Sequence, residues 1–185
     1  MTTTENVETI IIGGGAGGAG AALRLGQLGR KAMLLERSEG PRFHIGESVL
    51  PYLLKLFEKL EVLDRVVAQN APSKRAIETA QPDGTFRRVM FTLLPKTQFQ
   101  YAYNLTRATH DALMLDIARE RGIDVRTGVE VKSFLFEGER IVGVVYTNAA
   151  GEEREVRATN VIDASGRAGL IANRVLRSRR QNSRL

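Results

Sequence analysis

The sequence predicts an α/β fold, with a parallel sheet built on a β-α-β unit, an antiparallel β-meander as crossover, and an inserted β-hairpin. Three observations carry this. A short apolar run at residues 7–12 breaks into glycines, as a strand buried on both faces of a parallel sheet does. Three strand-like runs at residues 129–136, 141–147 and 153–158 follow one another with turn residues between them. Finally, Pro82, Asp83 and Gly84 divide two extended stretches, 75–80 and 85–92, into a hairpin.

Taken in order, the run at 7–12 is the first strand. Residues 16–28 alternate small and aliphatic side chains without proline, the pattern of a helix lying close on a sheet. Residues 32–35 give a second buried strand ending on Glu36, which closes a β-α-β unit of about thirty residues. From 51 to 60, Leu53, Leu54, Phe57 and Leu60 recur at helical spacing, with Pro51 suited to the first turn. A further helix is expected over 109–121, where Leu113, Ile117 and Ala118 share a face and Gly122 stops it. The meander follows, with turns at Glu137 and Gly138 and at Ala150 and Gly151. Val161 and Ile162 then begin another buried strand that ends in Ala164, Ser165 and Gly166.

Composition limits what such a fold can do. At 185 residues and 43% apolar content the chain holds one domain, or a domain and a fraction. With no cysteine, disulfides, thiol redox chemistry and a cysteinyl-flavin bond are excluded, and two histidines leave little for a metal site. The longest uncharged apolar stretch, residues 9–23, is dominated by Gly and Ala and is too short to span a bilayer. The first residues lack the basic region of a secretory signal, so a cytoplasmic location is expected, with no membrane partner. The net charge of +6 is a tail effect: residues 174–185 hold five arginines and no acid, leaving 22 basic against 21 acidic groups elsewhere. No nucleic-acid partner is expected from that distribution. The predicted pattern is still continuing at Leu185, which points to a truncated chain.

The chemistry is written in Gly13-x-Gly15-x-x-Gly18, closed by Glu36 23 residues after Gly13. Gly13 permits a tight turn, Gly15 lets a pyrophosphate approach the backbone, and Gly18 brings helix and strand together. The helix N-terminus, beginning at Ala16, offers N–H groups and a positive dipole end to phosphates. Glu36 is placed to accept hydrogen bonds from ribose hydroxyls. NAD and FAD share this unit, but a plain NAD enzyme would continue with alternating parallel strands and helices. The hairpin and meander, inserted before the strand ending at Gly166, favour FAD and a Rossmann-like FAD-binding domain.

These motifs resemble the flavoprotein family that includes aromatic hydroxylases, geranylgeranyl reductases and flavin-dependent halogenases, and the resemblance covers essentially the whole chain. Ile45-Gly46-Glu47-Ser48-Val49-Leu50-Pro51 is similar to the flavin-proximal loop of the halogenase-like branch. Arg107, with Asp111 and Leu113, resembles the helix whose arginine reaches the cofactor, and residues 161–167 resemble the strand and turn near the dinucleotide. The absence of cysteine departs from the reductases. Asp163-Ala164-Ser165-Gly166 departs from the Asp-Gly pair of the hydroxylases. Both differences lean toward the halogenase-like branch.

The resemblance implies FAD as cofactor, bound by Gly13, Gly15, Ala16, Gly18, Glu36 and Arg37, with Glu47, Ser48, Arg107, Val131, Asp163 and Gly166. It makes residues 1–185 one FAD-binding domain, in which about 72–105 is an insertion opening a substrate-facing sheet. It further implies a small-molecule or carrier-bound substrate and a separate flavin reductase. In such halogenases a lysine some thirty residues beyond the loop holds or activates the halogen, and Lys74, 27 residues after Glu47, matches it. The tryptophan-rich signature and second catalytic acid of that branch fall beyond residue 185.

Plainer readings accompany these residues. Glu47 and Ser48 suit capping of the helix near Pro51, Arg107 a helix-end ion pair, Asp163 a turn, and Lys74 an exposed surface at a loop-to-strand junction. Two other readings of the whole chain stay open at this point, a geranylgeranyl-reductase-like enzyme and an inactive fragment that binds nucleotide.

Overall fold

A computed structural model describes residues 5–93 and 99–176. In chain order these form β1 (Glu5–Ile12), α1 (Ala16–Gln27), β2 (Ala32–Glu36), α2 (Pro51–Lys59), α3 (Leu63–Val67), β3 (Ser73–Lys74), β4 (Ala76–Ala80) and β5 (Phe86–Met90). They continue with β6 (Ala102–Tyr103), α4 (Arg107–Glu120), β7 (Asp124–Thr127), β8 (Glu130–Glu137), β9 (Arg140–Thr147) and β10 (Glu153–Asp163). The chain divides into two compact units, residues 1–41 with 113–185, and residues 42–112.

The first unit is built on a six-stranded sheet in the order β7-β2-β1-β10-β9-β8. β7, β2, β1 and β10 run parallel, while β10, β9 and β8 are antiparallel neighbours. The expected α/β class, parallel sheet and meander are therefore present. Ile10, Ile12, Met33 and Leu35 are buried in one cluster with Val131, Val144, Tyr146 and Val156 of the meander. The period of two sends Ile11 and Leu34 to the opposite face; both are fully buried, as are Ala22 and Leu23 of α1. This two-sided burial is why β1 and β2 read as unbroken apolar runs.

Two strands differ from expectation. The third meander strand and the strand expected at Val161 are one element, β10, because pairing with β1 runs on through Ala158, Asn160 and Val161 without a break. Its first half pairs antiparallel with β9 and its second half parallel with β1, in the register Ile12↔Asp163. Nor is that end deeply buried, since Ile162 keeps 36% of its surface exposed. β7 was not expected from sequence. Its four residues, Asp124 to Thr127, carry two charges and too few apolar groups to show a period, and pairing with β2 makes it a strand.

In the second unit, α2 begins at Pro51 as expected, and β4 pairs with β5 to form the hairpin around Pro82, Asp83 and Gly84. The short α3 and the two-residue pair β3–β6 were not anticipated. α4 starts at Arg107, two residues before the expected position, and ends before Gly122.

Candidate functional site

In the first unit, β1 ends in the glycine turn. Gly13 has φ +103°, and a Cβ there would lie 2.6 Å from the Ala164 carbonyl oxygen. At Gly18 a Cβ would fall 1.8 Å from the Gly13 oxygen, so helix and turn touch backbone to backbone. Both glycines are required by the fold. Gly15 is different. Its φ of −72° suits any residue, and an added Cβ would meet nothing within 4 Å. The fold does not explain a glycine there.

Gly15 is also the N-cap of α1, without a side-chain cap and with no acid in the first turn. The exposed N-terminal turn at Ala16 and Gly17 thus keeps N–H donors and a positive dipole end open to an anion.

Glu36, only 9% exposed, ends β2 beside this turn. Its Oε2 accepts the Gly14 N–H at 2.6 Å and its Oε1 the Ser38 N–H at 2.8 Å. A carboxylate has about four lone-pair sites, so acceptor capacity is left for ribose hydroxyls. Gly14 was missed in the sequence reading, although the unbroken Gly13-Gly14-Gly15 run was its signal. A Cβ at Gly14 would press to 3.0 Å from the Glu36 Cβ.

Arg37 is exposed next to this acid. Val131 is 5% exposed with its side chain in the sheet cluster, and its carbonyl accepts from Arg174 Nη1 at 3.4 Å.

At the end of β10, the Ala164 N–H donates to the Ile12 carbonyl at 2.9 Å, which seats this strand end beside the glycine turn. Asp163 Oδ1 accepts from the Ser165 N–H at 3.1 Å and hydroxyl at 2.5 Å, and Oδ2 accepts the Ile171 N–H at 2.7 Å. Burial pushes this carboxyl up, but the bonds from the Ser165 hydroxyl and the two amides outweigh it and hold the pKa below the usual range. The carboxylate thus organises the turn in which Gly166 opens a 3₁₀ segment, Gly166–Ala168.

In the second unit, the residues of the expected flavin-proximal loop lie in an extended strip. The N-cap of α2 is Leu50, without a side-chain cap bond, so neither Glu47 nor Ser48 caps that helix. Glu47 instead accepts the Gly46 N–H at 3.3 Å, and Ser48 accepts from Lys74 Nζ. Arg107 donates through Nε and Nη2 to both oxygens of Asp111, at 3.0 and 2.9 Å, and through Nη1 to the Ile45 carbonyl at 3.1 Å. The hydrogen bonds to Asp111 are the main reason its pKa is raised further, against burial. Arg107 is therefore an ion-pair partner and also the residue that ties α4 to the loop.

Lys74 is half-buried at the end of β3 rather than on an open surface, and burial pushes its pKa down. His110, one of the two histidines, is 7% exposed, with its ring 5.3 Å from that of Phe57 and its Nδ1 3.2 Å from Gln69 Nε2.

Among the described residues no cluster of three or more His, Cys, Asp or Glu could hold a metal ion, and no helix is long and apolar enough to cross a membrane.

A family model for the FAD binding domain matches residues 6–185. The chain is 30% identical over 180 residues to a tryptophan 2-halogenase of Chondromyces crocatus, covering 97% of this chain and 34% of that protein. It is 31% identical over 184 residues to the flavin-dependent halogenase armH3 of Armillaria mellea, covering 97% and 36%. The solved structure of the myxobacterial chondrochloren halogenase CndH matches at a TM-score of 0.80 and 36% identity, over 86% of this chain and 37% of that one. The chain thus spans 34% to 37% of the length of these relatives.

Proposed function

We propose that this chain, which belongs to the FAD binding domain family, is the cofactor-binding part of a flavin-dependent, halogenase-type monooxygenase. The substrate is an electron-rich aromatic ring, free or carrier-bound, and a separate flavin reductase supplies the reduced cofactor. The observation that supports the cofactor reading most directly is Gly15, a glycine that neither backbone strain nor packing demands. Likeness to halogenases, over nearly the whole chain, supports the reaction class.

In this reading the pyrophosphate lies along Gly13, Gly15, Ala16 and Gly18 at the α1 N-terminus, and Glu36 holds the ribose. Arg37, the Val131 main chain, Asp163 and Gly166 complete the contacts of the first unit. Glu47, Ser48 and Arg107 are the cofactor contacts assigned to the second. FAD, when bound, supplies the redox chemistry that activates dioxygen and oxidises halide. Lys74 donates a hydrogen bond to the oxidised halogen and directs it at the ring, and an amine partly removed from water suits this because it gives up its proton more readily. The described residues of the stretch at about 72–105 are the start of the substrate-facing sheet, and the hairpin there leaves Ile77, Phe86 and Met90 exposed. The protein works in the cytoplasm.

The test supplies the full-length protein that carries this cofactor-binding part with FAD, a flavin reductase, NADH and either chloride or bromide, and follows a panel of phenols, indoles and pyrroles by mass spectrometry. Halogenated product is expected. Hydroxylated product without halogen would move the assignment to a monooxygenase, and neither product on any ring would sink it.

A further inference from the structure

The amine of Lys74 sits in a cradle assembled from three separate stretches of the second unit. The strip at 103–105 lies in the middle. On one side, the Leu105 N–H donates to the Glu47 carbonyl at 2.8 Å and the Val49 N–H to the Tyr103 carbonyl at 3.1 Å, with Ser48 bridged antiparallel to Asn104. On the other, the Asn104 N–H donates to the Pro72 carbonyl at 2.9 Å, and Ser73 and Lys74 pair with Tyr103 and Ala102. Ser48 and Lys74, 26 residues apart, therefore flank one strip, and Lys74 Nζ donates to Ser48 Oγ. The ring of Phe91, fully buried, lies 6.0 Å from Nζ. Among the described residues no carboxylate pairs with Lys74.

This set of neighbours has a chemical consequence. A lysine side chain has many rotamers, and ordering it costs up to about 2 kcal/mol, so an amine that must meet a reacting atom needs a partner that fixes it. A carboxylate would fix it and also hold it as ammonium. A hydroxyl fixes it without adding charge, taking one of its three donors and leaving two. The aromatic ring adds a weak attraction for the cation. We propose that Ser48 is the positioning residue of Lys74, its hydroxyl holding the amine in place while leaving it free to change protonation state. This rests on the reading of Lys74 as the halogen-directing amine, and it gives Ser48 a task beyond a cofactor contact.

The experiment is competitive acetylation of the protein with limiting acetic anhydride across a pH series, read lysine by lysine by peptide mass spectrometry. It is run on the parent, Ser48→Ala and Ser48→Thr, with the exposed Lys31 and Lys132 as internal references for the acetylation chemistry and circular dichroism as the check of an intact fold. Losing the hydroxyl removes an acceptor from the ammonium. The Lys74 midpoint in Ser48→Ala is expected to fall by about one pH unit, about tenfold in the amine-to-ammonium ratio at fixed pH, while Ser48→Thr keeps the parent value. A parent midpoint in Ser48→Ala, or a threonine variant that shifts as alanine does, would overturn the proposal. The labelling needs no turnover, so its failure is distinct from failure of the halogenase reading, which is judged on product formation alone.

Discussion

The Gly14 amide donates to Glu36 Oε2 at 2.6 Å, so the acid that ends β2 also braces the turn that ends β1. With the Ser38 amide on its other oxygen at 2.8 Å, Glu36 holds its own loop as well as the next one. Under the proposed cofactor assignment, ligand and fold share one carboxylate.

Replacing Glu36 separates those roles. Glu36→Ala is expected to weaken FAD by about 1.5–3 kcal/mol, the range for hydrogen bonds to a charged group, and to lower stability by about 1–3 kcal/mol as buried amides lose their acceptor. Flavin fluorescence titration and urea unfolding measure the two. An unchanged FAD affinity beside a lowered urea midpoint would confine Glu36 to bracing the turn.

The glycines divide in the same way. Gly15→Val should fold with a near-parental urea midpoint, since its Cβ enters open space, yet fail to bind FAD. Gly18→Ala should lose stability by about 1–3 kcal/mol or more, because its Cβ would collide with backbone rather than a movable side chain. Retained FAD binding in Gly15→Val would remove the pyrophosphate from this turn.

His110 is expected to make the second unit sensitive to acid. Burial lowers its pKa from 6.5, opposed by Asp111 and aided by Arg107, and donation from Gln69 Nε2 to Nδ1 needs a neutral ring. Because the folded pKa is depressed, the stability it contributes is complete above pH 6.5 and is lost as pH falls through the lower, folded value. The urea midpoint of the parent should therefore decline as pH falls below 6.5. His110→Phe, which cannot take up that proton, should flatten the decline. Identical slopes in the two proteins would assign the acid response to other groups.

Lys74→Ala tests the division of labour. Oxidation of the flavin needs the cofactor site, whereas transfer to the ring needs a placed amine. In the full-length protein, the variant should lose halogenated product by about 10²-fold or more, the scale of a positioned proton-transfer group, while reduced flavin is still reoxidised by oxygen in stopped-flow spectroscopy. Undiminished halogenation would return Lys74 to a structural part in the β3–β6 pair.

What the sequence determined by itself was the local and repetitive part. The glycine turn, the helix from Ala16, the acid at Glu36 and the hairpin at Pro82 to Gly84 are fixed by residue type and short spacing, and they stand where those signals put them. Tertiary pairing decided the rest. It made a strand of Asp124 to Thr127, joined two expected strands into β10, moved the α2 cap to Leu50, and set Ser48 against Lys74. Each depends on hydrogen-bond partners distant in the chain, whose register no local period encodes. Gly15 shows the complementary case: the sequence marked it, but only the space around its Cα shows that the fold does not require a glycine there.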